Sequence, residues 1–118
     1  MAITPHDIAK MLDHSTLQPF LTEADIRKGC ELALKYDCAS VCARPCDVPI
    51  LAEMLKGSDV KVCTVIGFPH GSHETVIKVA EAELALAAGF IPVHLGASRL
   101  RTETAALAAA AAVYFRYM

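Results

Sequence analysis

The strongest constraint on this 118-residue chain is a regular alternation of short β-type runs with helix-patterned segments. Residues 60–66 (VKVCTVI) form the clearest strand. Residues 39–43 (ASVCA) are small, β-branched and uncharged, the pattern of a strand buried on both faces. Residues 12–17 fit a third short strand, ended by Gln18-Pro19. The strand starts, near residues 12, 39 and 60, lie about 27 and 21 residues apart. Spacing of that kind leaves room for one helix per crossover, which predicts βαβ units and a parallel sheet.

Helix boundaries read locally. Thr4 is an N-cap with Pro5 at the first helical position and Asp7 in the first turn, predicting a helix to about Met11. Thr22 and Asp25 form a capping box, and Ile26, Cys30, Ala33 and Leu34 fall on one helical face. Asp47 is placed to cap a third helix with an apolar stripe of Ile50, Leu51, Met54 and Leu55, ended by Gly57. Gly67-Phe-Pro-His-Gly71 is a loop. Ser72 is placed to cap a helix to about Ala88, with Val76, Ile77, Ala80, Leu84 and Ala87 inward and Gly89 as its stop. Beyond Gly89 the pattern weakens. Residues 90–95 offer a fourth strand that Pro92 demotes, because proline has no N–H for the ladder. From Thr104 the chain is almost all alanine, which favours helix but supplies little burial energy. The expected division is a folded unit at residues 1–89 and a divergent Ala-rich tail at 90–118, helical or disordered.

Composition removes several classes. With 54% hydrophobic and 20% charged residues the chain is not intrinsically disordered. A net charge of -2 weighs against a nucleic-acid partner. The uncharged stretches 84–98 and 104–115 fall short of the roughly 20 apolar residues of a membrane span. No basic segment followed by an apolar one opens the chain, so a cytoplasmic location without membrane contact is expected. Five cysteines without a secretory signal read as reduced thiols. Cys38, Cys42 and Cys46, spaced C-x3-C-x3-C, lack the second close pair that zinc sites favour. His70 and His73 flank Gly71 and read as turn residues rather than ligands. No metal and no cofactor are expected.

Residues 13–19 (DHSTLQP) resemble the first-strand motif DHTLLKP of deoxyribose-phosphate aldolases. Residues 39–49 (ASVCARPCDVP) are similar to that family's ASVCVNPxxVP block. Residues 55–71 resemble its third-strand block almost letter for letter, and 75–89 the helix after it. The resemblance implies an α/β fold, a partial (βα)8 TIM barrel of about three to four βα units. It implies a lyase activity in deoxyribonucleotide catabolism: reversible cleavage of 2-deoxy-D-ribose 5-phosphate to glyceraldehyde 3-phosphate and acetaldehyde. The reaction runs through a lysine Schiff base, without metal, on a small phosphorylated sugar. Asp13, Ser15 and Cys42 match pocket-lining positions, with serine replacing the family's threonine at Ser15.

The resemblance covers about residues 5–89. The family's fourth strand, of the type DEIDMVINIGA, has no counterpart in residues 89–97, and the strands bearing the Schiff-base lysine are not matched. A reactive lysine must be neutral, and in a barrel it sits toward the C-terminal end of a strand. Lys10, Lys28, Lys35, Lys56, Lys61 and Lys78 all fall in helices, at helix ends or at a strand start, so they are expected at the surface or rim. Two expectations follow: an N-terminal half of an aldolase that needs the rest of its barrel, or a truncated or frameshifted, inactive fragment. In either case open strand edges predict self-association.

Overall fold

A computed structural model describes residues 2–92. The elements run α1 (Pro5–Ala9), β1 (Asp13–Thr16), α2 (Glu23–Tyr36), β2 (Ser40–Ala43), a single 3-10 turn (Pro45–Asp47), α3 (Val48–Met54), β3 (Lys61–Thr64) and α4 (Thr75–Ala87). The strands form one open parallel sheet in the order β1-β2-β3. Asp13 pairs with Ser40 and Ser40 with Lys61; Ser15 pairs with Cys42 and Cys42 with Cys63. Parallel neighbours require crossovers, and here α2 and α3 supply them.

The N-cap predicted at Thr4 and the capping box predicted at Thr22 are both present, and Thr4 forms a full capping box as well. The Asp7 carboxylate accepts from the Thr4 backbone N–H at 2.8 Å, and Thr4 Oγ1 accepts from the Asp7 N–H at 3.2 Å. Thr22 and Asp25 repeat this at α2, at 2.8 and 3.3 Å. α1 stops at Ala9 rather than Met11, because the Met11 and Leu12 N–H groups turn back three residues to Ile8 and Ala9 and lead the chain into β1.

The core lies on one side of the sheet. Ile26, Cys30 and Ala33 of α2 pack with Val41 and Ala43 of β2, Leu51 and Leu55 at α3, and Val60 before β3. Leu34, expected on this face, is 36% exposed, and Gly29 is buried in its stead. Glycine is required there by proximity. A Cβ at Gly29 would stand 2.7 Å from Thr16 Cγ2, so α2 rides directly on β1.

Two sequence expectations give way to tertiary contacts. Asp47 precedes α3 but makes no side-chain cap. Its buried carboxylate instead accepts from Arg44 Nε at 2.5 Å. The remaining Arg44 N–H groups donate to the carbonyls of Gln18, Pro19 and Leu21, tying the β1–α2 loop to the turn after β2. α4 begins at Thr75, with Glu74 rather than Ser72 at its N-cap position, and buries no residue. Val76 and Leu84, read as inward, are 71% and 74% exposed, and Ile77, Ala80 and Ala87 are exposed as well. Polar ties decide the helix orientation. Glu81 accepts from the Gly67 N–H at 2.7 Å, and Lys78 Nζ donates to the Gly71 carbonyl at 2.9 Å.

Residues 90–92 are not strand. The rest of the candidate fourth strand, His94 and the Ala-rich segment lie outside the described residues. Among the described residues no helix is long and apolar enough to cross a membrane.

The packing orders three substitutions by cost. Gly29→Ala is expected to destabilise by about 1–3 kcal/mol through overpacking against Thr16. Leu51→Ala should cost about 2–5 kcal/mol as a core truncation. Leu84→Ala on exposed α4 should stay within about 0.5 kcal/mol of wild type. Urea denaturation followed by far-ultraviolet circular dichroism measures all three.

Candidate functional site

Side chains alternate between the two faces of a strand. His14, Thr16, Val41 and Ala43 therefore turn toward α2 and α3. Asp13, Ser15, Ser40, Cys42, Lys61 and Cys63 share the opposite face. The register sets them in two rows: Asp13, Ser40 and Lys61, then Ser15, Cys42 and Cys63 one step further toward the strands' C-terminal ends. Two threonines on the helix-facing side fix those ends. Thr16 Oγ1 donates to the Cys42 carbonyl at 3.0 Å, and Thr64 Oγ1 to the Ala43 carbonyl at 2.9 Å.

The three residues singled out by sequence thus stand on one face. Asp13 and Ser15 are exposed, and Cys42 is buried. Ser40 Oγ donates to Asp13 Oδ1 at 2.6 Å, which holds the carboxylate in place. A carboxylate oxygen of Asp13 and the sulfurs of Cys42 and Cys63 all lie within 4.8 Å of one another. Burial pushes the Cys42 thiol up to about 12, helped by Cys63 and then by the negative charge of Asp13. Burial also raises Cys63, again with a contribution from Asp13. Both groups are therefore neutral thiols near pH 7.

Ser40 and Cys63 were not singled out from the sequence, yet a signal for them was present. Ser40 follows Asp13 by 27 residues and Cys63 follows Cys42 by 21, the same intervals that separate the strand starts. The C-x3-C-x3-C run is dispersed by the fold. Cys38 is a core residue and Cys46 is exposed. His70 and His73 sit in the exposed loop before α4.

Five of the six lysines lie apart from this cluster. Lys10 Nζ is 2.8 Å from Asp37 and 2.7 Å from Asp59. Its hydrogen bonds to Asp37 and then Asp59 raise its pKa, opposite to what a nucleophilic amine needs. Lys28, Lys35 and Lys56 are exposed, and Lys78 is held by Gly71. Lys61 shares the row of Asp13 and Ser40 but is exposed, with Asp59 at 3.7 Å. Beside β3 an apolar cleft of about 840 Å³ opens between Cys63, Ile66, Ala85, Leu86, Phe90 and Ile91.

A curated relative from Rhodopirellula baltica (strain DSM 10527 / NCIMB 13988 / SH1), named deoxyribose-phosphate aldolase, is 54% identical over 84 residues. The match covers 71% of this chain and 35% of the relative. One from Caldanaerobacter subterraneus subsp. tengcongensis, with the same name, is 52% identical over 83 residues, 70% of this chain and 36% of the relative. The solved tetrameric deoxyribose-phosphate aldolase of Aeropyrum pernix superimposes with a TM-score of 0.65 at 32% identity, covering 73% of this chain and 37% of that one. The chain spans just over a third of the length of these relatives. A family profile described as RNA methyltransferase domain also matches, over residues 26–114. The two likenesses disagree. The profile begins inside α2 and omits β1 with Asp13 and Ser15. For the aldolases, residue identity and backbone superposition both lead to proteins of the same name. The open three-stranded sheet matches part of the solved aldolase structures, and the chain is a relative of the deoxyribose-phosphate aldolases over about a third of their length.

Proposed function

We propose that this chain forms the opening βα units of an aldolase barrel, and that Asp13, Ser15 and Cys42 line its pocket for a phosphorylated sugar. The observation that carries this reading is their placement in adjacent rows of one sheet face, clear of the helices that cover the other. The reaction is the reversible cleavage of 2-deoxy-D-ribose 5-phosphate through a lysine Schiff base. That chemistry requires a neutral amine, so a lysine must be held well below its ordinary pKa of about 10.4. Lys10 is shifted the other way by its two carboxylates. The remaining lysines lie off the Asp13–Cys42 cluster or at its N-terminal margin, so this chain supplies pocket wall rather than the amine. In this reading Asp13, whose carboxylate Ser40 orients, exchanges protons with the reacting groups.

Two other readings remain. One is an inactive fragment, truncated or frameshifted. The other is methyl transfer to RNA, favoured by the profile match over residues 26–114. Against the latter, acidic side chains outnumber basic ones, 13 to 11, where RNA binding calls for a basic face.

Complementation separates these readings. The purified chain is mixed with the remaining two-thirds of the Rhodopirellula baltica aldolase and given deoxyribose 5-phosphate, then borohydride. The expected result is aldolase turnover, with the reduced adduct on the added segment and none on this chain by intact mass. Asp13→Asn should lower turnover about 100-fold or more, the scale of a lost proton-transfer group. An adduct on a lysine of this chain would overturn the bystander reading. No turnover in the mixture would favour the inactive fragment, and thermal stabilisation by S-adenosylmethionine would favour methyl transfer.

A further expectation concerns association. Val76 and Leu84 of α4 and Ile91 after it are exposed, and apolar surface of this kind drives chains together. Size-exclusion chromatography with light scattering should show a species heavier than the 12.6 kDa chain. A monodisperse monomer would refute self-association.

A further inference from the structure

Among the described residues, one group of three potential metal donors converges: Asp13, Cys42 and Cys63, one from each strand. Their ligand atoms lie within 4.8 Å of one another. Around a tetrahedral zinc ion, bond lengths of about 2.3 Å to sulfur and 2.0–2.2 Å to oxygen put neighbouring donors about 3.5–3.8 Å apart. From separations of at most 4.8 Å the cluster reaches that spacing by closing no more than about an ångström. The donors sit on hydrogen-bonded strands in fixed register, and rigid elements hold a site better than loops do. Ser40 Oγ, 2.6 Å from Asp13 Oδ1, anchors the carboxylate, as outer-shell partners do for metal ligands. Asp13 is exposed, and Cys63 borders the apolar cleft, so the open side of the cluster is accessible.

We propose that Asp13, Cys42 and Cys63 form a binding site for a thiophilic divalent cation of the zinc type, which displaces the two thiol protons to solvent as it binds, with a fourth position open to water or a ligand. Two sulfurs and one oxygen select zinc, cobalt or cadmium over magnesium and calcium, which demand oxygen donors. Three protein ligands with one vacancy is the arrangement of an open site rather than a closed structural one. The site uses none of the C-x3-C-x3-C spacing except Cys42. The fold pairs that residue with partners 29 positions before it and 21 after it. The proposal stands on this geometry and does not rest on the aldolase reading.

The test is optical and independent of activity. The full-length chain, kept reduced by a phosphine, is titrated with cobalt(II) and then with zinc. The expected result is one equivalent of cobalt showing tetrahedral d–d bands and thiolate charge-transfer absorption, bleached by one equivalent of zinc. Ser40→Ala should weaken cobalt binding about 10–100-fold, the usual effect of losing an outer-shell partner. Cys63→Ala should weaken it further, and Cys46→Ala, at an exposed site, should leave it unchanged. Cys63 is only partly buried and Ser40 keeps its backbone pairing, so these two variants carry the test if Cys42→Ala fails to fold. Absence of saturable binding, or a thiolate spectrum that survives Cys63→Ala, would overturn the site.

Discussion

The parallel register of the three strands is the constraint on which the rest depends. Because side chains alternate across a pleated strand, seating Val41 and Ala43 against α2 and α3 obliges Cys42 to face the other way. The same pairing brings Asp13 beside Ser40 and Cys42 beside Cys63. A one-residue slip would exchange the two faces, burying Asp13 and exposing the core valine. The threonine hydroxyls on the Cys42 and Ala43 carbonyls act against such a slip, and so does Gly29, whose missing Cβ lets α2 rest on Thr16. Fold and candidate site are thus two outcomes of one alignment.

Polar contacts act at both ends of this sheet. Where the strands begin, Lys10 joins Asp37, in its left-handed conformation after α2, to Asp59 ahead of β3. Hydrogen bonds from Lys10 and then His6 hold the Asp37 carboxyl below its ordinary range, so it stays charged. Where the strands end, Arg44 and Asp47 gather the loop that follows β1. Barrel proteins use the first end for stability and the second for chemistry, and Ser15 and Cys42 lie toward the second.

What the sequence made legible was local or periodic. The N-cap at Thr4 and the capping box at Thr22 bond to residues three apart, and the strand rhythm follows from the length of a crossover. Asp47 looked like a helix cap because its competitor, Arg44, is recruited by carbonyls more than twenty residues earlier. The inward face of α4 was misread for the same reason. Its apolar stripe is clear in sequence, but the Gly67 N–H and the Gly71 carbonyl draw Glu81 and Lys78 toward the loop. Ser40 and Cys63 required adding the strand interval to residues already singled out, a step that joins periodicity to position.

Among the described residues, α4 is a helix of 13 residues with no buried side chain, tied to the loop after β3 by two side-chain hydrogen bonds. Its opening need not disturb the unit from β1 to β3. In amide hydrogen exchange the described residues are therefore expected to divide into two cooperative units of unequal protection. The β1–β3 unit exchanges only on global unfolding, whereas α4 exchanges by detaching from the loop after β3, and whatever packs against Val76 and Leu84 would raise the protection of that helix alone.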